Sequence, residues 1–344
     1  MTAPEPKRVL LVRLGAIGDV VNALVVATAL KDAHPDVSIG WVVHDLAEPL
    51  VQNHPAIDRV HLWKRKGGFG ELRSVVNEIR AEQYDLAVDL QRLAKSAFLA
   101  RASGAQRVLG YDRARTKEQS WLFTKERVPV GDGAAHMVEQ YLDVARYLNC
   151  AGQARRELPP APEAEARVAS WFAHLNTAPI QANLGASKPA NRWEPERFGE
   201  LIARITGELE LPVFLTGAPN ERELAKRVLA VTGESELIQD LVGQTSLPEL
   251  WSASRHARLF IGCDTGPMHL AAAVDTPVLA LFGPAAPRRT GPFGEPHRVL
   301  RVPPPCAPCG LKRCNQLRHA CMEDLTTELV FQAVREQVGS LGAH

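Results

Sequence analysis

The chain has 344 residues, 45% hydrophobic and 23% charged, and its 40 Lys and Arg nearly cancel 39 Asp and Glu for a net charge of +1. That length suits two domains, each able to bury its own core, and the balanced charge argues against nucleic acid as a partner. The opening MTAPEPKRVLLVR has an apolar run too short for a signal peptide, and no stretch reaches the roughly 18 apolar residues that span a bilayer, so a cytoplasmic protein is expected.

Val9 to Val12 reads as a strand closed by Arg13. The turn-like Leu14-Gly15-Ala16-Ile17-Gly18-Asp19 then opens into an apolar-periodic helix to Leu30. Strand, glycine loop and helix begin a doubly wound α/β domain, whose ligands bind outside the carboxyl ends of the strands. Asp19 stands where the loop becomes the helix, so position alone reads it as an N-cap ahead of a ligand-facing carboxylate. Gly15 and Gly18 fall short of GxGxxG, and no acidic residue ends a second strand about 20 residues on, which disfavours a nicotinamide enzyme.

Val37 to Val43 and Asp58 to Trp63 read as the next strands, with a short helix at Ala47 to Asn53 between them. Lys64-Arg65-Lys66-Gly67-Gly68 is a basic loop, either solvated or an anion contact. A helix over Phe69 to Glu82 precedes Tyr84 to Leu90, whose apolar run fits an interior parallel strand. Gln91, Arg92, Lys95 and Ser96 follow at the entry to the next helix and should share a crevice with Asp19; a lysine there is unfavourable without an anion to meet. Gln106 to Gly110 is a strand, Tyr111 to Lys125 a polar basic loop, and Ala135 to Asn149 an amphipathic helix. Ala151 to Ala164 loses periodicity, gains prolines and reads as the interdomain linker.

The second half repeats this grammar. Strands are expected at Pro179 to Leu184, Pro212 to Gly217, Ile238 to Val242, Leu259 to Cys263 and Pro277 to Phe282, the last clear one. Helices are expected at Pro195 to Glu208, Asn220 to Thr232, Leu247 to Ser254 (capped by Thr245 or Ser246) and Leu270 to Val274. In DTGPMHLAAA a strand ends, Gly266 permits close backbone approach, Pro267 suits a first helical position, and the free N–H groups fit a diphosphate; a capped buried helix with a structural His269 fits equally. Arg192 before Trp193 offers a fork-shaped cation for phosphate. Glu221 stands where a carboxylate could accept ribose hydroxyls, although a glutamate in a first helical turn needs no such role.

VLLVRLGAIGDVVNALVVATAL, DLQRLAKSA, NRWEPERF, DTGPMHLAAA, LFGPAAPRRTGP and the cysteine-bearing tail together resemble the lipopolysaccharide heptosyltransferase family, in order from about Lys7 to about Thr327. The resemblance implies GT-B architecture: two Rossmann-like doubly wound parallel-sheet domains facing a central cleft. Residues 1–160 would bind the acceptor, 161–325 the nucleotide sugar, and 326–344 would form a C-terminal helix. It further implies inverting transfer of L-glycero-D-manno-heptose from ADP-heptose to a lipid-linked inner-core lipopolysaccharide acceptor, with no cofactor or metal required.

In that family the aspartate of the first loop is the proposed general base, which falls on Asp19. The donor set falls on Ser187, Arg192, Glu221, Asp264, Thr265, Gly266 and His269. Acceptor-binding candidates are Gly18, Gln91 and Lys95, while Arg92 replaces the family's usual glycine. Transient contact with the cytoplasmic membrane face is expected through Lys64 to Lys66 and Arg113 to Lys117. The alternatives are a GT-B transferase for another nucleotide sugar or glycan, and a nucleotide-sugar-binding protein without turnover. Cys306, Cys309, Cys314 and Cys321, spaced C-x2-C-x4-C-x6-C, allow a tetrahedral metal site, reduced thiols or a local disulfide.

Overall fold

The computed structural model describes residues 5–129, 131, 135–150 and 155–341. The chain divides into two compact units, Met1–Pro160 and Ala161–His344.

The first unit runs β1 (Arg8–Val12), α1 (Ile17–Ala33), β2 (Ser38–Val43), β3 (Arg59–Leu62), α2 (Phe69–Ala81), β4 (Leu86–Asp89), α3 (Ala94–Ala102), β5 (Arg107–Tyr111), β6 (Glu126–Val128) and α4 (Met137–Tyr147). All its strands are parallel, in the order β3-β2-β1-β4-β5-β6. Val9 to Val12 and Leu86 to Asp89 are wholly buried, as central strands covered on both faces must be. Helix α1 is buried without interruption from Val20 to Leu30 and packs beside α4, so its sequence is apolar all round. Helix α2 buries only Val75 and Ile79 and carries a polar outer face.

The second unit runs α5 (Pro162–Phe172), β7 (Ile180–Asn183), α6 (Pro195–Glu208), β8 (Val213–Thr216), α7 (Arg222–Thr232), β9 (Ile238–Asp240), α8 (Leu247–His256), β10 (Leu259–Cys263), α9 (Gly266–Ala273), β11 (Val278–Leu281), α10 (Pro287–Thr290), β12 (Arg298–Leu300), α11 (Ala320–Glu323) and α12 (Thr327–Leu341). Its parallel sheet has the order β12-β11-β10-β7-β8-β9. Counted from its own first strand, that order matches the first unit. Each sheet therefore has one point where the winding reverses, between β1 and β4 in the first unit and between β7 and β10 in the second. Doubly wound folds bind ligands outside the carboxyl ends of the strands at such points.

Several expectations need correcting. Helix α5 begins at Pro162, inside the stretch read as linker, because Pro162 opens it, Glu163 and Glu165 suit its first turn, and Val168 and Phe172 are buried. Residues 151–154 of that stretch lie outside the described residues. The short helix expected at Ala47 to Asn53 is a 3-10 stretch over Asp45–Leu50 that contains Pro49. Two 3-10 turns, Arg113–Arg115 and Ser120–Leu122, interrupt the basic loop, and the short strand β6 follows it. Strand β12 adds an edge beyond Pro277 to Phe282. Helix α8 is capped by Ser246, in a reciprocal box with Glu249.

Candidate active site

In the first unit, β1 ends on Arg13, and both neighbouring strands hold the turn that follows. Trp41 Nε1 donates to the Arg13 carbonyl at 3.0 Å, the His44 N–H to the Leu14 carbonyl at 2.9 Å, and the Leu14 N–H to Gln91 Oε1 at 2.8 Å. Gln91, an acceptor-binding candidate, thus uses its carbonyl oxygen to brace the glycine turn.

Ala16, not Asp19, occupies the cap of α1, with no side-chain cap hydrogen bond; Gly18 is buried and Asp19 is the third helical residue. The Asp19 carboxylate pairs with the Arg13 guanidinium, and the two side chains are 39% and 6% exposed respectively. A helix start also favours that negative charge.

Register brings a second carboxylate into this group. Val12 lies opposite Asp89, so Arg13 also feels the Asp89 side chain. Asp89 accepts the N–H groups of Gln91 at 3.0 Å and Arg92 at 3.1 Å. Burial pushes its pKa up to about 6 against the opposing pull of Ser96, these two N–H groups and Arg13. For Arg13, burial opposes the cation, but Tyr141, Asp19, Tyr111 and Asp89 outweigh it and raise the pKa above its ordinary value. Lys95, the second residue of α3, is exposed and lies 6.0 Å from the Trp63 ring centroid. Burial first, and the Lys95 charge after it, lowers the pKa of nearby His44 despite the Trp63 backbone contact.

In the second unit, the loop after β7 and the start of α9 after β10 meet. Ser187 donates its backbone N–H to the Asp264 carbonyl at 3.0 Å, and Asn191 Nδ2 reaches Ser187 Oγ and Asp264 Oδ2, each at 3.0 Å. Trp193 is fully buried, with its Nε1 on the Leu325 carbonyl at 2.8 Å and its ring edge-on to Phe198. That anchor fixes the backbone of Arg192 before it, whose buried Nε has no hydrogen-bond partner. Thr265 caps α9 without a side-chain hydrogen bond, Gly266 opens the helix, and His269 in its first turn is 6% exposed.

Glu221 ends a 3-10 turn ahead of α7, and its Oε2 accepts the Ala218 N–H at 2.7 Å. A Cβ at Gly185 or Gly217 would lie 2.6 or 2.9 Å from a Glu221 carboxylate oxygen, so the two glycines make room for it after β7 and β8. Asp19 and Gln91 therefore gather at one reversal point, with Lys95 by Trp63 and His44 past the ends of β3 and β2, and Ser187, Arg192, Asp264, Thr265, Gly266 and His269 gather at the other, with Glu221 one strand away.

The family model described as glycosyltransferase family 9 (heptosyltransferase) matches residues 72–319. The chain belongs to that family. Lipopolysaccharide heptosyltransferase 1 of Pseudomonas aeruginosa is 32% identical over 329 residues, which cover 90% of this chain and 87% of that protein. The solved family 9 glycosyl transferase of Veillonella parvula superposes with a TM-score of 0.86 at 21% identity, covering 97% of this chain and 98% of that one. The Escherichia coli heptosyltransferase WaaC, solved with ADP-2-deoxy-2-fluoro heptose, superposes with a TM-score of 0.74 at 24% identity, covering 96% and 99%. These likenesses establish a GT-B fold of two Rossmann-like domains.

In this family 9 glycosyltransferase, Arg92 keeps the left-handed backbone that a glycine favours, with φ +67°. Holding an arginine there costs about 1–3 kcal/mol, offset by buried contacts of its guanidinium: Nη1 on Gln140 Oε1 at 2.6 Å and the Tyr111 ring at 5.0 Å. All six cysteines are free thiols. Cys306, Cys309, Cys314 and Cys321 line one cavity of about 460 Å³, and burial pushes Cys321 up to about 11. Among the described residues no group of three or more His, Cys, Asp or Glu is placed to hold a metal ion.

Arg13, Asp89 and Asn191 went unassigned in the sequence. Arg13 and Asp89 had a legible signal: each is a charge at the carboxyl end of an apolar strand, where burial demands a partner. Asn191 had none, since its role depends on Asp264, 73 residues away.

Proposed function

We propose that the protein transfers L-glycero-D-manno-heptose from ADP-heptose to a lipid-linked inner-core lipopolysaccharide acceptor, inverting the anomeric carbon, at the cytoplasmic face of the membrane. The observation that carries this reading is the partition of chemistry between the two reversal points. A carboxylate held by a buried arginine stands at the first, and an unpartnered arginine Nε beside a helix start stands at the second.

Asp19 acts as general base, taking the proton of the acceptor hydroxyl as its oxygen attacks the anomeric carbon. Arg13 holds the carboxylate and touches no substrate. Gly18 leaves room at the helix start, Gln91 keeps the turn in place, and Lys95 supplies a cation for an anionic acceptor group. In the second unit Arg192 and the N–H groups at Thr265 and Gly266 take the diphosphate and the charge that develops as ADP departs. Glu221 accepts the ribose hydroxyls, and Ser187, Asn191 and Asp264 shape the loop between them. His269, largely buried in the first turn of α9, completes the donor set. A single in-line displacement inverts the sugar carbon and needs only a weak base, because the hydroxyl proton leaves late.

The test is transfer from ADP-heptose to deep-truncated lipopolysaccharide by wild type and Asp19→Ala. Wild type should transfer, and the variant should lose about 10²–10⁴-fold in rate while binding ADP normally. Equal transfer by both removes Asp19 as base. If ADP binds but wild type does not transfer, the donor or acceptor assignment is wrong.

A further inference from the structure

Between Arg92 and Arg127 the sequence carries nine Lys or Arg against three Asp or Glu, in a chain whose net charge is +1. Three of the nine are committed within the fold: Arg92 stacks on Tyr111, and Arg107 and Arg115 pair with Glu126 and Asp143. Arg101, Arg113, Lys117, Lys125 and Arg127 are exposed, and so are apolar side chains among them. Leu122, 60% exposed, ends the 3-10 turn Ser120–Leu122. Phe98, 45% exposed, belongs to α3, which packs against that turn, and its ring meets Phe123 edge-on at 6.3 Å. Trp121 lies with Arg113 and Arg127 at 4.7 and 5.4 Å from its ring centroid.

A single exposed leucine needs no explanation, and neither does a solvated basic face. Their combination has a definite chemistry. Guanidiniums stacked on an indole keep their cations beside an amphipathic ring, and bare leucine and phenylalanine side chains next to them gain by leaving water. Basic residues around exposed aromatic and aliphatic tips match a surface with anionic headgroups above an apolar layer.

We propose that this face of the first unit docks on an anionic lipid surface. Leu122, Trp121 and Phe98 enter the boundary between headgroups and acyl chains, and Arg113, Lys117, Lys125 and Arg127 meet the lipid phosphates. Phe69, 83% exposed and following Lys64-Arg65-Lys66, opens α2, which packs beside α3, and extends the same chemistry. Helix α3 starts at Ala94 and carries Lys95 in its first turn, so docking brings the proposed acceptor site to the membrane. The inference deepens the reading of a lipid-linked acceptor. Its test uses vesicles without any acceptor, so the two readings fail separately.

The full chain is sedimented with vesicles of phosphatidylcholine alone and of a two-to-one mixture with phosphatidylglycerol. It should pellet with the mixture and remain in solution with phosphatidylcholine, and the binding should fade as salt shortens the screening length from about 10 Å at 0.1 M to about 3 Å at 1 M. Leu122→Ser with Phe98→Ser, two exposed positions at which the fold should persist by circular dichroism, should lower partitioning about tenfold or more. Arg113→Glu with Arg127→Glu should abolish it. Pelleting of the serine variant equal to wild type, or indifference to phosphatidylglycerol, overturns the proposal. Retention on a duplex DNA oligonucleotide without vesicle binding also overturns it, by assigning the patch to nucleic acid.

Discussion

Replacing Arg13 by Met takes away a guanidinium that is 6% exposed and leaves an aliphatic stem in its place, so Asp19 loses its ion-pair partner and Asp89 a weaker neighbouring charge. They should respond differently. The Asp19 side chain is 39% exposed and can be solvated, so its share is about 1 kcal/mol or less. Asp89 is 1% exposed and makes no ion pair with Arg13, but burial lets it feel that charge with little screening by water. Asp89 keeps the Ser96 hydroxyl and the N–H groups of Gln91 and Arg92, so the expectation for both carboxylates together is about 2 kcal/mol of unfolding free energy at a pH above the titration of Asp89. Urea denaturation followed by circular dichroism reads this directly, provided the m-values match. In an Asp89→Asn background no buried charge is left near the substitution, and Arg13→Met should then cost about 1 kcal/mol, a coupling of about 1 kcal/mol. Equal losses in both backgrounds would refute the electrostatic coupling of Arg13 to Asp89. The effect on turnover is separate. Arg13→Met should lower kcat far more than it raises KM in either background, and Arg13→Lys should restore part of kcat; wild-type kcat in the Met variant would show that the ion pair does not position Asp19.

Three further outcomes are expected. Arg192→Ala should weaken ADP binding by about 1.5–3 kcal/mol, the worth of a charged hydrogen bond, and unchanged affinity by calorimetry would remove Arg192 from the site. Gly185→Ala puts a Cβ 2.6 Å from Glu221 Oε1; the carboxylate can swing away, so stability should hold while affinity for ADP falls, and equal affinity would detach Glu221 from the ribose. Asp89 has a folded pKa of about 6 against an ordinary 3.8, so the folded state keeps a proton that the unfolded chain has released between those values. Its contribution is therefore most favourable below 3.8 and declines as pH rises to about 6, by about 3 kcal/mol in all. Asp89→Asn should flatten that decline in urea-derived stability across the interval, and parallel wild-type and variant profiles would refute it.

Most of the architecture was legible because its elements are locally specified. Buried central strands must be apolar on both faces, which made Val9 to Val12 and Leu259 to Cys263 readable. Helix α6 carries its own start in Pro195 and its own periodicity. The misses share a cause. Strand β6 has three residues, of which only Val128 is buried, and β12 is equally short and holds no fully buried residue, so neither shows a pattern long enough to recognise. Helix α5 was hidden by the prolines before it, although Pro162 is where a helix tolerates one.

The site divides along the same line. Residue type and order along the chain were enough to nominate Asp19, Arg192 and the DTGPMH turn, because glycine, proline and a charge at a strand-to-helix junction carry their geometry locally. What Asp19 is bonded to was decided only by the tertiary structure. Position made it a cap, whereas the folded chain gives the cap to Ala16 and the carboxylate to Arg13. The turn that carries this exchange is held from the neighbouring strands, by Trp41 on the Arg13 carbonyl and by Gln91 on the Leu14 N–H, the second a contact between residues 77 apart. No local pattern contains such a contact, since strand register is set by burial across the whole sheet.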